Sequence, residues 1–352
     1  MAQFHSLKIK EIVKETDHAV TLTFDIPNEL KSTFSFKAGQ YITLKTTINN
    51  EEVRRDYSLC TSPQSNMLKV VVKAVENGMF SVYANTNLSV GDTLEVSGPN
   101  GRFLFEPDAS KSRTIAAFAA GSGITPIMSI AKTVLEQEPN SHFVLVYGNK
   151  TVTDTIFYSE LQDLKSKFED RLHLQFVFSQ SNHADALFGR IDASTVNFIV
   201  KNKYKDHTID AFYLCGPEAM IHAVSDTLTE NGVAKDSIFY ELFTVPVSEN
   251  ESANVQVSDG ETQVTIRVDD EQHTFIMSQN DSVLDAALVK DIDAPYSCQG
   301  GICSSCLAKI TEGEAIMRQN NILTDKEVGE GLVLTCQAHP TTPTLTVDFD
   351  DI

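Results

Sequence analysis

Long apolar runs are missing from this 352-residue chain. Stretches such as residues 143–147 are far too short to span a bilayer, which excludes a helical membrane protein. The opening segment, MAQFHSLKIK, lacks the apolar core of a secretory leader, so the expected location is the cytoplasm. Basic residues are also scarce. There are 28 Lys and Arg against 48 Asp and Glu, a net charge of −20. That balance argues against nucleic acid and against an anionic membrane surface as partners, because both require a basic face. Cysteines number only 6, and a reducing compartment disfavours using them as a disulfide framework. No internal repeat or low-complexity tract is present, so the length implies two or three ordinary domains.

What charge there is falls unevenly. Residues 246–352 carry 19 acidic and 5 basic side chains, net −14, which leaves −6 for the first 245. The last third is therefore a distinct acidic module, and its acidity suits it to steer a basic partner towards it. The cysteines are uneven too. Three fall between Cys298 and Cys306, and a fourth is Cys336. A cluster of this kind points to metal binding.

The pattern of apolar residues changes along the chain. In the first hundred residues Val20, Leu22, Phe24 and Ile26 alternate with polar residues, the period of a half-buried strand. Residues 41–45 and 67–75 are further strand candidates, separated by turn signals such as Asn49-Asn50 and Gly91-Asp92. Many short strands with turns predict an antiparallel β-barrel over residues 1–108. From about residue 109 apolar strands (114–120, 143–147, 172–178, 212–214, 238–242) alternate with helix candidates (126–136 and near 158–168). That alternation predicts an α/β domain with a parallel sheet over 109–245. Residues 246–253 are polar and acidic, with a proline, and are expected to form a linker. Residues 254–352 then make the third domain, with strands at 255–257, 263–268 and 344–349 and a helix at 282–288.

The sharpest local signal is the spacing Cys298-x4-Cys303-x2-Cys306, with Cys336 after 29 further residues. Four thiolates so arranged can hold a [2Fe–2S] cluster, two to each iron. Gly300 and Gly301 allow the loop to wrap tightly and bring backbone N–H groups near sulfur. Ser297, Ser304 and Ser305 add further donors. Structural zinc usually pairs two short Cys knuckles, and one loop with three ligands and a distant fourth fits that poorly.

Two groups of motifs precede this loop. Arg55-Asp56-Tyr57-Ser58 offers a cation for a pyrophosphate, a ring to stack on a flat heterocycle and a hydroxyl to donate to a ring nitrogen. Gly78-Met79-Phe80-Ser81 opens a helix candidate and suits phosphate. Val72 and Lys73, between the two motifs, belong to the same cofactor-binding set. Further on, Gly121-Ser122-Gly123-Ile124-Thr125-Pro126 sits between a buried strand and a helix, where amides can hold a diphosphate. It is not the Gly-x-Gly-x-x-Gly fingerprint of a Rossmann dehydrogenase. Tyr147-Gly148-Asn149-Lys150 and Cys215-Gly216-Pro217 also fall at the carboxyl ends of apolar strands, where ligands bind in open α/β sheets. Cys60 reads as packing.

In this order the motifs resemble the ferredoxin–NADP reductase superfamily, and PYSCQGGICSSC with LTCQAHP resembles plant-type ferredoxins, which implies a β-grasp last domain. The resemblance implies FAD held by Arg55, Tyr57, Ser58, Gly78 and Ser81, and a nicotinamide beside Cys215. Gly98-Pro99-Asn100-Gly101-Arg102-Phe103 is similar to the end of that family's barrel. YGNKTVTDTIFYSEL, FGRID and YLCGPEAMI are similar to parts of reductase components of bacterial oxygenases. The chemistry is consistent. A nicotinamide yields two electrons at once, an iron–sulfur cluster takes one, and a flavin converts between them. The expected function is thus transfer of electrons from NADPH or NADH through FAD and a [2Fe–2S] cluster to an oxygenase component or another acceptor protein, such as the hybrid-cluster protein. Tyr57, Ser58 and Cys215 are the expected catalytic residues. A carrier that binds nucleotide without turnover is the alternative from another class. Lys150 is the best placed cation for a 2′-phosphate, and the resemblance favours NADPH.

Overall fold

In the computed structural model, residues 3–243 and 260–352 are described. They fall into two compact units, one built from most of the chain between Phe4 and Phe243 and the other from Gly260 onward, to which the short stretch Arg54–Asp56 is also assigned. The expected linker at 246–253 and the expected strand at 255–257 lie outside the described residues.

The first unit begins with β1 (Phe4–Thr16), β2 (Ala19–Asp25), β3 (Tyr41–Ile48), β4 (Glu51–Ser58), β5 (Leu68–Lys73), helix α1 (Met79–Thr86) and β6 (Thr93–Ser97). The strands form one sheet in the order β4-β3-β6-β1-β2-β5. Its two edges meet just beyond β4, where Leu59 bridges Val70 of β5 antiparallel and the Cys60 N–H donates to the Lys69 carbonyl at 3.1 Å. That closes the sheet as a barrel and leaves few edge groups unpaired. Leu7, Leu22, Ile42, Leu44, Val70 and Val96 fill it, all fully buried. The β2 strand departs from the half-buried expectation, because Thr21 and Thr23 are buried as well. Their hydroxyls donate to Glu15 and Glu11 of the paired strand, at 2.5 and 3.4 Å, so the polar face is covered by long side chains rather than by water. Apolar alternation does not reveal β1, since only Leu7 and Ile9 of its 13 residues are buried.

The rest of this unit is β7 (Thr114–Ala120), α2 (Ile124–Gln137), β8 (His142–Asn149), α3 (Tyr158–Lys167), β9 (Leu172–Phe178), β10 (Ala186–Phe188), α4 (Ala193–Asn197), β11 (Ala211–Cys215), α5 (Glu218–Glu230) and β12 (Ile238–Glu241). All pairings between these strands are parallel, in the order β10-β9-β8-β7-β11-β12. Ile115, Ala117, Phe143 and Leu145 pack with Ile124, Ile127 and Leu161 from α2 and α3. Residues of the opposite parity (Ala116, Phe118, Val144, Val146) are buried too, so both faces are covered, as the near-continuous apolar strands require. From β7 the order builds outward through β8 on one side and β11 on the other. The direction of construction reverses between β7 and β11, and in such sheets that reversal marks the ligand-binding crevice at the carboxyl ends of the two strands. A completely buried Glu138 braces the segment entering β7. It accepts from Arg113 (Nη2 at 2.6 Å, Nε at 3.1 Å), the Asp108 N–H and Ser141.

At the amino ends of these strands the fold gathers three histidines that no sequence spacing unites. The rings of His142, His173 and His207 lie 5.9–6.3 Å apart. Burial, then repulsion from His142, His207 and Lys203, lowers the His173 pKa, against a weaker opposing effect of Asp170. The unfolded chain therefore binds a proton that the native protein resists. The resulting contribution to stability is fully present above the ordinary histidine pKa of about 6.5 and is lost as pH falls from there through the lowered native value. The thermal midpoint is expected to drop between about pH 7 and 5, and His173→Gln to flatten that drop. Melting curves across that range check this, and an unchanged slope in the variant would exclude His173 as the source.

The second unit comprises β13 (Glu261–Val268), β14 (Glu271–Ser278), α6 (Val283–Val289), β15 (Leu307–Glu312), β16 (Ala315–Met317), α7 (Asp325–Gly329), β17 (Leu332–Leu334), β18 (Ala338–Pro340) and β19 (Thr344–Asp348). Five strands form a mixed sheet, β14-β13-β19-β15-β17, in which β13 and β19 run parallel and the other pairings are antiparallel. The apolar face of α6 (Val283, Leu284, Ala287) packs into the same core as Val264, Ile266, Leu345 and Val347, the β-grasp arrangement. Ser282 caps α6 by accepting the Asp285 N–H at 3.0 Å, and Thr324 with Glu327 forms a capping box on α7.

Candidate active site

The crevice between β7 and β11 is lined by the two glycine motifs. Gly121 adopts a left-handed φ of 55°, and its carbonyl accepts from the buried Tyr147 hydroxyl at 2.9 Å. Tyr147 thus holds the turn from behind, and burial raises its pKa, keeping it a neutral donor. Gly123 stands against the end of β11. A Cβ there would lie 2.1 Å from the Cys215 carbonyl oxygen and 2.8 Å from the Gly216 nitrogen. Gly216 in turn approaches Ala120, whose nitrogen would be 3.1 Å from an added Cβ. The Thr125 hydroxyl donates to the Ser122 carbonyl at 3.0 Å and fixes the entry to α2, where Pro126 is buried. Pro217 stands at the cap position of α5. Backbone N–H groups at the starts of two helices therefore flank the crevice, which suits it to phosphate.

Lysines add charge here. Lys73, the last residue of β5, puts its Nζ 3.3 Å from the position a Gly121 Cβ would take. Burial and then the nearby Lys150 lower its pKa, with Asp154 opposing. A cation held in such a place gains from an anion in the crevice. Gly148 packs on Ile191, and the Asn149 and Lys150 carbonyls accept from Ser179 and Gln180 N–H groups at 3.0 and 2.9 Å.

The barrel motif ends beside the nucleotide domain. Tyr57 is half-buried, its ring 5.4 Å from that of Phe80 in α1. Ser58 is buried and donates to Glu241 Oε2 at 3.1 Å. Glu241 is the last residue of β12, so this bond joins the end of the flavin motif to the nucleotide domain. Sequence reasoning missed Glu241; its place at the carboxyl end of an apolar strand was the available signal. Cys215 is wholly buried at the end of β11, and desolvation, with Glu241 nearby, pushes its thiol pKa well up. It is a neutral thiol and not a nucleophile. On β4, Arg55 is exposed and donates to the Arg54 carbonyl at 2.6 Å, while Asp56 is half-buried. Val72 packs in the barrel, and its carbonyl accepts from Asn85 at 3.0 Å. Gly78 caps α1, Met79 is exposed, and the Ser81 hydroxyl accepts from the Val75 N–H at 3.2 Å. That hydroxyl closes the turn, in which the Gly78 N–H also donates to the Val75 carbonyl at 3.0 Å. Cys60 is buried packing, as expected, with its thiol raised by burial to about 12.

In the second unit the four cysteines converge. The Cys303 thiol donates to Cys298 Sγ at 3.1 Å, and Cys336 lies within hydrogen-bonding reach of both Cys298 and Cys306. Hydrogen bonds from Cys303 and Cys336, together with the Gly300 and Ile302 N–H groups, outweigh burial and hold the Cys298 thiol far below its ordinary pKa. Gly301 takes φ 70°, and a Cβ would lie 2.9 Å from the Gln319 carbonyl oxygen. Side chains outside the motif fasten the loop: Gln337 donates to the Gln299 carbonyl at 3.1 Å, and Thr335 to that of Cys306 at 3.0 Å. Converging thiols with N–H donors turned on sulfur fit a [2Fe–2S] cluster.

A barrel, a switch-point crevice and a four-cysteine β-grasp domain define an NAD(P)H-dependent oxidoreductase that uses FAD and a [2Fe–2S] cluster. Residues 6–105 match the oxidoreductase FAD-binding domain, 118–226 the oxidoreductase NAD-binding domain and 266–341 the 2Fe-2S iron-sulfur cluster binding domain. The chain belongs to the ferredoxin–NADP reductase superfamily, in the group that ends in a plant-type [2Fe–2S] domain. It is 40% identical over 353 residues to a subunit of the 1,2-phenylacetyl-CoA epoxidase of Escherichia coli (strain K12), covering 99% of each chain. The ferredoxin reductase component of 3-ketosteroid-9-alpha-monooxygenase from Rhodococcus rhodochrous is 32% identical over 351 residues, covering 97% of this chain and 96% of that one. Among solved structures, phthalate dioxygenase reductase shares the fold, with a TM-score of 0.61, 23% identity and 98% of each chain covered. No helix among the described residues is long and apolar enough to cross a membrane.

Proposed function

We infer that this protein is the reductase of a phenylacetyl-CoA epoxidase-type system in phenylacetate breakdown, drawing electrons from NADPH and delivering them to the oxygenase component. The whole-length similarity to one subunit of that epoxidase supports the choice of oxygenase. The observation that supports the chemistry is the Ser58–Glu241 bond, which joins the end of the flavin motif to the strand end paired with Cys215. FAD, when bound, accepts two electrons from a nicotinamide and passes them on singly. Tyr57 offers a ring for stacking, and Glu241 orients the Ser58 hydroxyl. Cys215, uncharged and dry, walls the place where the nicotinamide meets the flavin. Arg55 and the turn at Gly78 serve the flavin's pyrophosphate. Lys73 and the amides at Gly121–Gly123 serve the coenzyme diphosphate, and Lys150 its 2′-phosphate. Cys298, Cys303, Cys306 and Cys336 hold the cluster. The proposed domains are 1–108, 109–245 and 254–352 around a linker at 246–253, in a cytoplasmic protein without nucleic-acid or membrane partners. The acidic last domain supplies the face that meets the oxygenase.

The purified protein should be yellow-brown and bleach when NADPH is added without oxygen. Cys215→Ala should slow that bleaching about tenfold through looser placement of the reacting rings, with FAD content unchanged. Stopped-flow absorbance measures both. Bleaching of the variant at the unaltered rate would reduce Cys215 to packing, and a protein that never bleaches would overturn the reductase reading.

A further inference from the structure

Ser297 directly precedes the first cluster cysteine and is 4% exposed, and its hydroxyl oxygen is shielded from solvent and meets no hydrogen-bond partner among the described residues. A buried hydroxyl left unpaired is unfavourable, and such a group in a native protein calls for an unseen partner. Its neighbourhood shows what that partner is. The Gly300 and Ile302 N–H groups already turn on Cys298 Sγ, and the four thiols stand together beside it. A cluster seated there brings additional sulfur, all of it acceptor and more negative once reduced. Two carbonyls that follow in the loop, those of Gln299 and Gly301, are already taken by Gln337 and Asn321.

We propose that the Ser297 hydroxyl donates a hydrogen bond to a sulfur of the cluster held by Cys298, and that this bond makes the cluster easier to reduce. Hydrogen bonds to sulfur stabilise the more negative, reduced state and are one of the protein's levers on potential. Ser297 is in this sense a positioning and tuning residue and not a catalytic one. The inference rests on the four-cysteine assignment. That assignment has its own test in iron content, which should be retained in Ser297 variants and lost when a cysteine is replaced.

The measurement is a redox titration of the full-length protein, with the reduced cluster followed by electron paramagnetic resonance. Ser297→Ala is expected to lower the equilibrium constant for cluster reduction about tenfold, which is about 59 mV for one electron, with the flavin potential and iron content unchanged. Ser297→Thr, which keeps the hydroxyl, should stay within about twofold of the unaltered protein. Should the alanine variant fail to take up iron, Ser297→Cys, a weaker donor, replaces it in the comparison and should fall below Ser297→Thr. Equal potentials for alanine and serine, or an equal fall in the threonine variant, would overturn the proposal.

Discussion

Replacing Cys336 with alanine is expected to remove the cluster and leave the flavin in place. The four cysteines come from two segments, a loop giving three and a separate strand connection giving Cys336, so no neighbouring thiol can substitute. Thr335, whose hydroxyl and N–H both reach the Cys306 carbonyl at 3.0 and 3.1 Å, keeps that segment folded even without the cluster. Reduction of the oxygenase should therefore fall about a hundredfold or more, beyond what loss of an outer-shell partner alone reaches. Bleaching by NADPH should stay within about twofold, since distant independent sites act additively. Iron analysis, the visible spectrum and coupled turnover together check this. A variant that keeps its iron would place the fourth ligand elsewhere.

Gly123→Ala is expected to damage the other end of the electron path. The obstacle is steric and not conformational, since Gly123 has φ −60°, which any residue adopts. A methyl group would press on the Cys215 carbonyl at 2.1 Å, and backbone cannot swing aside as a side chain can. Either β11 or the turn must shift, at a cost of about 1–3 kcal/mol in stability. The shift displaces the wall of the crevice by a sizeable fraction of an ångström, and misplacement on the order of 1 Å can cost about a hundredfold in rate. Stopped-flow reduction by NADPH should slow to that extent, with FAD still bound. Reduction at the unaltered rate would show that the crevice does not seat the nicotinamide.

The sequence alone determined those features that depend on local spacing. The cysteine pattern, the glycine turns after apolar strands and the switch from period-two strands to strand–helix alternation are short-range signals. Each survives in the structure because each rests on a local requirement: thiols at a fixed reach, a backbone with no room for Cβ, or strands buried on both faces. Charge bookkeeping likewise singled out the acidic last domain before any fold was known.

Only the tertiary structure decided which of these signals meet. Ser58 and Glu241 are 183 residues apart, and their bond exists because the barrel's strand end abuts the edge strand of the parallel sheet. Lys73, at the end of β5, likewise reaches Gly121, just past the interior strand β7. Gly123 acquires its significance from Cys215, which a strand order reversing at β7 sets beside it. The burial of Thr21 and Thr23 and the gathering of three histidines are similarly non-local. A hydroxyl's partner or an imidazole's environment depends on which surfaces chain topology presses together. Sequence periodicity reports which face of a strand is apolar, but not what the polar face will meet.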